Sequence, residues 1–179
     1  MVKRFAVVLA CVWACVGLGG ATPQDRPAHD LDVPYVPTPP KVVDAMLKMA
    51  HVTSNDVVYD LGCGDGRIVV MAAEKYGARG VGIDLDPRRI AEANANAKLA
   101  HVTGRVKFVV QDVFTADFSD ATVVTLYMLP SVNEKLLPKI KALTPGTRVV
   151  THAFTFGDAW PYERKEDVDG KTIYFWSVK

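Results

Sequence analysis

Polar and apolar positions along this chain fall into short apolar runs separated by amphipathic stretches. Val57 to Leu61 (VVYDL) is largely β-branched and apolar, the pattern of a strand buried on both faces. Arg67 to Tyr76 follows, with Ile68, Ala72 and Tyr76 along one side of a helix. A second run, GVGIDLDP, reaches its acid at Asp84; Asp86 then caps, and Pro87 opens, a helix over RRIAEANANAKLA. Val106 to Asp112 (VKFVVQD) reads as a third strand, ATVVTLYML as a fourth with Tyr127 near its end, and TRVVTHAF as a fifth. Between the last two, Ser131 and Glu134 form a capping box for SVNEKLL, Pro138 interrupts that helix, and Gly146 follows its second part. Upstream, Thr38 caps a helix whose opening turn holds Pro39 and Pro40 and whose apolar face is Val42, Val43, Met46 and Ala50. At the far end ERKEDV and KTIYFWSV flank Asp169-Gly170, a two-residue hairpin turn.

Strands alternating with helices, followed by a hairpin, predict an α/β fold. It is a Rossmann-like seven-stranded, mostly parallel sheet with a C-terminal antiparallel hairpin strand and helices on both faces. The turn after the first strand, Asp60-Leu61-Gly62-Cys63-Gly64-Asp65-Gly66, carries three glycines at alternate positions. Strand, glycine turn and helix in that order make a nucleotide or nucleoside cradle, because glycine lets a ligand lie against the backbone. A dinucleotide fingerprint needs its third glycine at position 67, which is Arg67 here. Asp60 and Asp65 repel a pyrophosphate and attract a cationic amino-acid end. S-adenosylmethionine (SAM) has such an end and no phosphate, so the turn is read as a SAM site. Asp84, at the tip of the second strand, is placed to accept hydrogen bonds from both ribose hydroxyls. Asp112, at the tip of the third, is a candidate for the adenine amino group or an unused strand-end acid.

Composition sets limits on this reading. A chain of 179 residues with 49% hydrophobic content buries one substantial core. A formal charge of +1 gives no bulk attraction to nucleic acid or to an acidic membrane. Lys3 and Arg4 precede an uncharged apolar run from Phe5 to Ala21, with Gly19 and Ala21 suited to a cut before Thr22. Residues 1–21 therefore read as an export signal or a membrane anchor, 22–32 as a polar, proline-containing linker, and 33–179 as the SAM-binding domain. The expected location is periplasmic or secreted, or else anchored through residues 5–21, with membrane contact through that segment only. Cys11 and Cys15 belong to the leader, which leaves Cys63 in the glycine turn without a disulfide partner or metal-ligand spacing; no metal is expected. Tyr35 and Thr38 stand on a stiff proline-flanked segment that reads equally as a packing strap or as a lid over the cofactor.

The order YVPTP, glycine turn, GVGIDLDP, ATVVTLYMLPSVN and PGTRVVTHAF resembles seven-β-strand methyltransferases. The chain is similar to the archaeal broad-specificity protein-lysine methyltransferases and their mitochondrial relatives over roughly Val33 to Val178. That resemblance implies methyl transfer to lysine side chains of a protein partner; separately, the chain is expected to be a monomer. It also implies SAM contacts from Tyr35, Thr38, Asp60, Gly62, Gly64, Asp84 and Asp112, to which the charge argument adds Asp65. The family's fifth strand runs from its histidine into an acid; this chain has Ala153 there.

A lysine nucleophile must lose its proton first, and a desolvating aromatic channel lowers its pKa from about 10.4. Tyr127, Phe154, Phe156, Trp160 and Tyr162 cluster after strands four and five, as such a channel or as ordinary core. Tyr35, Tyr127 and His152 are the candidate catalytic residues, with His152 read either as a packed histidine or as a base. Two alternatives stand beside lysine transfer: a small-molecule methyltransferase, and an exported SAM-binding protein with weak or no catalysis. Base-amino methylation of nucleic acid is disfavoured. Such enzymes place Asn or Asp before Pro-Pro-aromatic after strand four, where this chain has Tyr127-Met128-Leu129-Pro130.

Overall fold

The computed structural model describes residues 35–179, so the leader and linker readings lie outside the described residues. The chain runs α1 (Pro40–Met49), β1 (Val57–Leu61), α2 (Arg67–Tyr76), β2 (Arg79–Asp84), α3 (Pro87–Leu99), β3 (Val106–Val110), β4 (Val123–Leu126), α4 (Pro130–Lys141), β5 (Arg148–His152), a 3₁₀ turn (Gly157–Ala159), β6 (Arg164–Val168) and β7 (Lys171–Ser177). The strands form one seven-stranded sheet in the order β3-β2-β1-β4-β5-β7-β6. The first five strands pair in parallel, and β7 runs antiparallel to β5 on one side and to β6 on the other. Asp169 and Gly170 both take positive φ, as the predicted hairpin turn requires.

Strand alternation decides which helix covers which face. Val57, Tyr59 and Leu61 of β1, with Val124 and Leu126 of β4, pack against Val132, Leu136 and Ile140 of α4. The opposite face, with Val58, Val123 and Val150, is covered by Val43 and Met46 of α1 and Ile68 and Ala72 of α2. Ile90, Ala93 and Ala97 of α3 complete that face beside α2 and Phe108 of β3. Helices therefore flank both faces, and the crossing from one face to the other occurs between β1 and β4. Crevices at the carboxyl ends of strands beside such a switch point bind ligands in open α/β sheets.

Several local expectations are corrected. α1 is capped by Pro39 with no side-chain bond, and the Thr38 hydroxyl is turned elsewhere. α4 starts at Pro130, with Leu129 at the cap, so Ser131 and Glu134 lie inside the helix and make no capping box. Proline at the first helical position, with φ already helical, fixes that start. Pro138 does not break α4, which continues to Lys141. An interior proline costs about 3 kcal/mol, and burying Leu136, Leu137 and Ile140 at about 1.5–3 kcal/mol each offsets it. Asp86 caps α3 as expected, its carboxylate accepting from the Arg88 amide at 2.8 Å.

One polar network fixes the root of α1. The Arg148 guanidinium on β5 pairs with Asp56 and donates to the Ala50 carbonyl at 2.8 Å, while the Thr122 hydroxyl donates to Asp56 at 2.7 Å. These bonds hold the start of β1, β4 and β5 against the end of α1, and so fix the helix from which residues 35–39 extend. At the far edge, β6 exposes Arg164, Lys165, Glu166 and Asp167, charges that discourage pairing with a further strand.

Candidate active site

The carboxyl ends of β1, β2, β3 and β4 surround a cleft of about 1030 Å³, counted out to its open mouth. Asp60, Gly62, Gly64 and Asp65 of the glycine turn, Asp84 and Asp112 at the tips of β2 and β3, and Tyr35, Thr38 and Tyr127 all line it. Of the predicted cofactor-binding and catalytic residues, all but His152 thus line one cleft.

Asp60 is 3% exposed, and its Oδ1 accepts from the Thr125 hydroxyl at 2.7 Å across the β1–β4 register. Burial pushes its pKa up to about 7, further raised by Asp84 and Asp65 and opposed by the Thr125 bond. Among the described residues no cation contacts it. A buried carboxylate without a counter-ion is expensive, and an incoming cationic group relieves it. Asp65 differs: burial raises it, but the Arg67 guanidinium, bonded at 2.9 and 2.6 Å, outweighs that and holds it ionised. Arg67 also donates to the Thr38 carbonyl at 3.0 Å, tying residues 35–38 to the glycine turn.

Asp84 shapes the turn. One oxygen accepts from the Gly64 amide at 2.8 Å and the other from the Asp86 amide at 2.9 Å. Each carboxylate oxygen keeps a second lone pair for a further donor. Asp112 turns one oxygen to the Phe114 amide at 2.9 Å. The three glycines divide their roles. A Cβ on Gly62 would sit 2.7 Å from the Met128 sulfur, and one on Gly64 would strike the Tyr35 ring, both in the cleft. Gly66 instead faces Phe108 and Ala93, so it serves the packing of α3 and β3 rather than a ligand. Cys63 is buried, and burial with Asp60 close by pushes its thiol up, so it is a packing residue rather than a nucleophile.

Tyr35 and Tyr127 belong to an aromatic and polar assembly. Tyr35 lies over Gly64, with the Arg89 guanidinium 4.5 Å from its ring centroid. The Tyr127 ring stands 3.9 Å from His152 and 6.2 Å from Phe154. His152 is 1% exposed and outside the cleft surface. Burial, with Lys171 assisting, lowers its pKa to about 4. The expected aromatic channel is reduced. Phe156 and Trp160 pack with Trp176 in the core, and Tyr162 pairs with Tyr174, leaving Tyr127 and Phe154 on the acceptor side. Sequence reasoning misses Arg67, Arg89 and Thr125 as residues of the ligand site. The signals are present: a cation where the dinucleotide pattern wants glycine, and one hydroxyl inside the apolar run of β4.

These residues fit SAM: an uncompensated buried acid for its cationic end, strand-tip Asp84 for a diol, and glycines that leave the turn open. Asp84→Ala is expected to weaken S-adenosylhomocysteine binding roughly tenfold to a hundredfold, about 1–3 kcal/mol, by removing an acceptor and loosening the turn. Calorimetry reads this directly, and unchanged affinity would remove Asp84 from the site.

Residues 60–163 match the family model of the ANTKMT methyltransferase domain. The chain belongs to this family. A protein-lysine N-methyltransferase of Saccharolobus islandicus is 48% identical to this ANTKMT-type chain over 151 residues, covering 82% of this chain and 94% of that protein. The adenine nucleotide translocase lysine N-methyltransferase of Mus musculus is 34% identical across 69% of this chain, which spans 54% of the mouse protein, less than two thirds of it. A Salinibacter ruber protein, described as an RNA methyltransferase and solved with S-adenosylhomocysteine, is 54% identical, with a TM-score of 0.78. The match covers 80% of this chain and 94% of that one. The glycine turn, Asp84 and Tyr127 all fall inside the matched 60–163 span, whereas Tyr35 and Thr38 precede it.

Proposed function

We propose that the protein is a SAM-dependent protein-lysine N-methyltransferase. The observation that carries this is the pairing of Asp60, a buried acid with no cation beside it among the described residues, with an acceptor wall in the same cleft formed by Tyr127 and backed by Phe154. When bound, SAM supplies a methyl group on a sulfonium, open to in-line displacement. The chain's own residues bind, orient and exclude water, which is where most of the rate of such a displacement comes from. Tyr127 and Phe154 favour the neutral amine by desolvating it. The buried His152 is closed off from the cleft, so it does not take the amine's proton, which passes to water before the methyl group is transferred. The likeness to the Saccharolobus lysine enzyme, over 94% of its length, supports the acceptor class.

RNA is the second reading, raised by the description of the Salinibacter protein. The acids of the cleft, Asp60, Asp65, Asp84 and Asp112, and the overall charge of +1 offer little to a polyanion. Incubation of the protein with methyl-labelled SAM and a cell lysate, then separation of protein, RNA and small molecules, tests both. Label recovered as methyl-lysine after protein hydrolysis is expected; label in RNA or small molecules would overturn the reading.

We further propose that residues 1–21 are a leader for export, removed before Thr22. Intact mass of protein recovered from its native host is expected to lack them, and a mass retaining them would favour an anchor.

A further inference from the structure

His152 is costly where it stands. The ring is buried at the end of β5, yet its Nε2 has no hydrogen-bond partner among the described residues. A buried polar atom left without a partner keeps its full desolvation penalty, and an apolar residue would avoid that cost. What the ring does is bridge. Its Nδ1 lies 3.1 Å from the Thr38 hydroxyl, joining β5 to the segment over the cofactor end of the cleft. Its ring meets Tyr127 with centroids 3.9 Å apart and planes tilted by 39°, an arrangement set by sheet register, because Leu126 pairs with Thr151 and the next residues are cross-strand neighbours. The backbone beyond is fixed as well. Ala153 has φ 65, and the Phe154 amide donates back to the His152 carbonyl at 2.8 Å, a γ-turn that ends the strand sharply.

Thr38 is itself held by the glycine turn through Arg67, at 3.0 Å from its carbonyl. A chain of direct contacts therefore runs from the turn through Arg67, Thr38 and His152 to Tyr127. Groups facing the ring are Thr38 from the α1 side and Tyr127 from β4, while Lys171 of β7 is the charge acting on it. With a cation and no carboxylate acting on it, the ring has nothing to hold a proton.

We propose that His152 is a positioning residue that couples cofactor binding to acceptor placement, holding Thr38 at the cofactor end and Tyr127 at the acceptor end on a single ring. The proposal rests on the lysine reading above. Cofactor that settles under residues 35–38 stabilises the Thr38–His152 bond, and that bond fixes the Tyr127 plane against which the amine lies. The coupling is reciprocal, as linkage requires.

The test uses the whole protein and an unstructured lysine-rich peptide as probe. Peptide affinity is measured by fluorescence anisotropy with and without saturating S-adenosylhomocysteine, in wild type, Thr38→Val and His152→Asn, with thermal melts alongside. In wild type the cofactor product is expected to tighten peptide binding about fivefold to tenfold. In folded Thr38→Val the gain is expected to vanish, although the His152–Tyr127 ring contact remains. His152→Asn is expected to lose the gain and raise the peptide KM more than it lowers kcat. The His152 ring signals in NMR are expected to stay fixed from pH 5 to 8. A gain that persists in both folded variants would overturn the proposal. So would a rate profile whose limb near neutral pH disappears in His152→Asn, since that is the signature of a base. Wild type that labels lysine but shows no gain overturns the coupling alone; wild type that labels RNA removes the lysine reading and the coupling with it.

Discussion

Titrating S-adenosylhomocysteine into the protein at pH 7 is expected to release about half a proton per site, and Asp60→Asn is expected to release none. Asp60 has its pKa raised to about 7 by burial, so near neutrality it is divided between carboxyl and carboxylate. A cationic amino-acid end selects the carboxylate, and the proton leaves. The sign follows for affinity: below pH 7 a proton must be displaced before binding, so affinity falls by about tenfold per pH unit, while above it binding is level. Asn cannot supply the charge, and its loss is expected to weaken binding by about 3 kcal/mol, roughly a hundredfold. Folding of the ligand-free protein carries the opposite pH trend. With the folded pKa above the unfolded one, the native state binds the extra proton, so Asp60's contribution to stability is present below about pH 4 and is lost as pH rises through about 7. Calorimetry in two buffers of different ionisation heat reads the proton directly. Equal heats in both buffers would show that Asp60 is already ionised in the empty cleft.

Gly66→Ala is expected to destabilise the fold by about 3 kcal/mol, while Gly64→Ala, whose φ of 52 carries the same backbone cost of about 1–2 kcal/mol, is expected to destabilise less and to weaken cofactor binding as well. Gly66 has φ 75, and a Cβ there would lie 2.6 Å from the Phe108 ring and 2.7 Å from the Ala93 methyl. Left-handed backbone costs a side chain about 1–2 kcal/mol, and overpacking a filled core adds roughly 1–3 kcal/mol. Neither Phe108 nor Ala93 has room to retreat, being 9% and 0% exposed. At Gly64 the obstacle is the Tyr35 ring, 42% exposed and able to swing out, at the cost of uncovering the cleft. Thermal melts and calorimetry on both variants separate the effects; equal melting temperatures would refute the division of labour between the two glycines.

That division shows where sequence runs out. Three alternate glycines announce a turn built for a ligand, but which of them meets ligand and which meets core depends on α3 and β3 arriving from elsewhere in the chain. Short-range signals are reliable: Asp86-Pro87 opens a helix, Asp169-Gly170 turns a hairpin, and the β-branched run at Val57 becomes a strand buried throughout. Signals that compete with tertiary contacts are not. Thr38 has the chemistry of a cap, yet its hydroxyl meets His152, 114 positions away. Pro138 has the chemistry of a breaker, yet the core beneath α4 carries the helix past it. The aromatic residues after β5 look like one group because they are adjacent in sequence; Phe154 turns toward Tyr127 while Phe156 turns inward toward Trp176. Asp60 and Asp84 can be placed at strand tips from pattern alone, whereas Arg67's grip on the Thr38 carbonyl requires the fold.

The place of β7 between β5 and β6 has a consequence for synthesis on the ribosome. The strands from β1 to β5 are complete by His152, but β5 keeps an open edge until Lys171–Ser177 has emerged, because β6 pairs only with β7 and not with β5. Trp176, fully buried in the finished molecule, emerges only with β7. From the emergence of β5 until β7 follows, a nascent chain thus carries an unpaired strand edge and an unfilled aromatic cavity, the surfaces on which chaperones and premature association act.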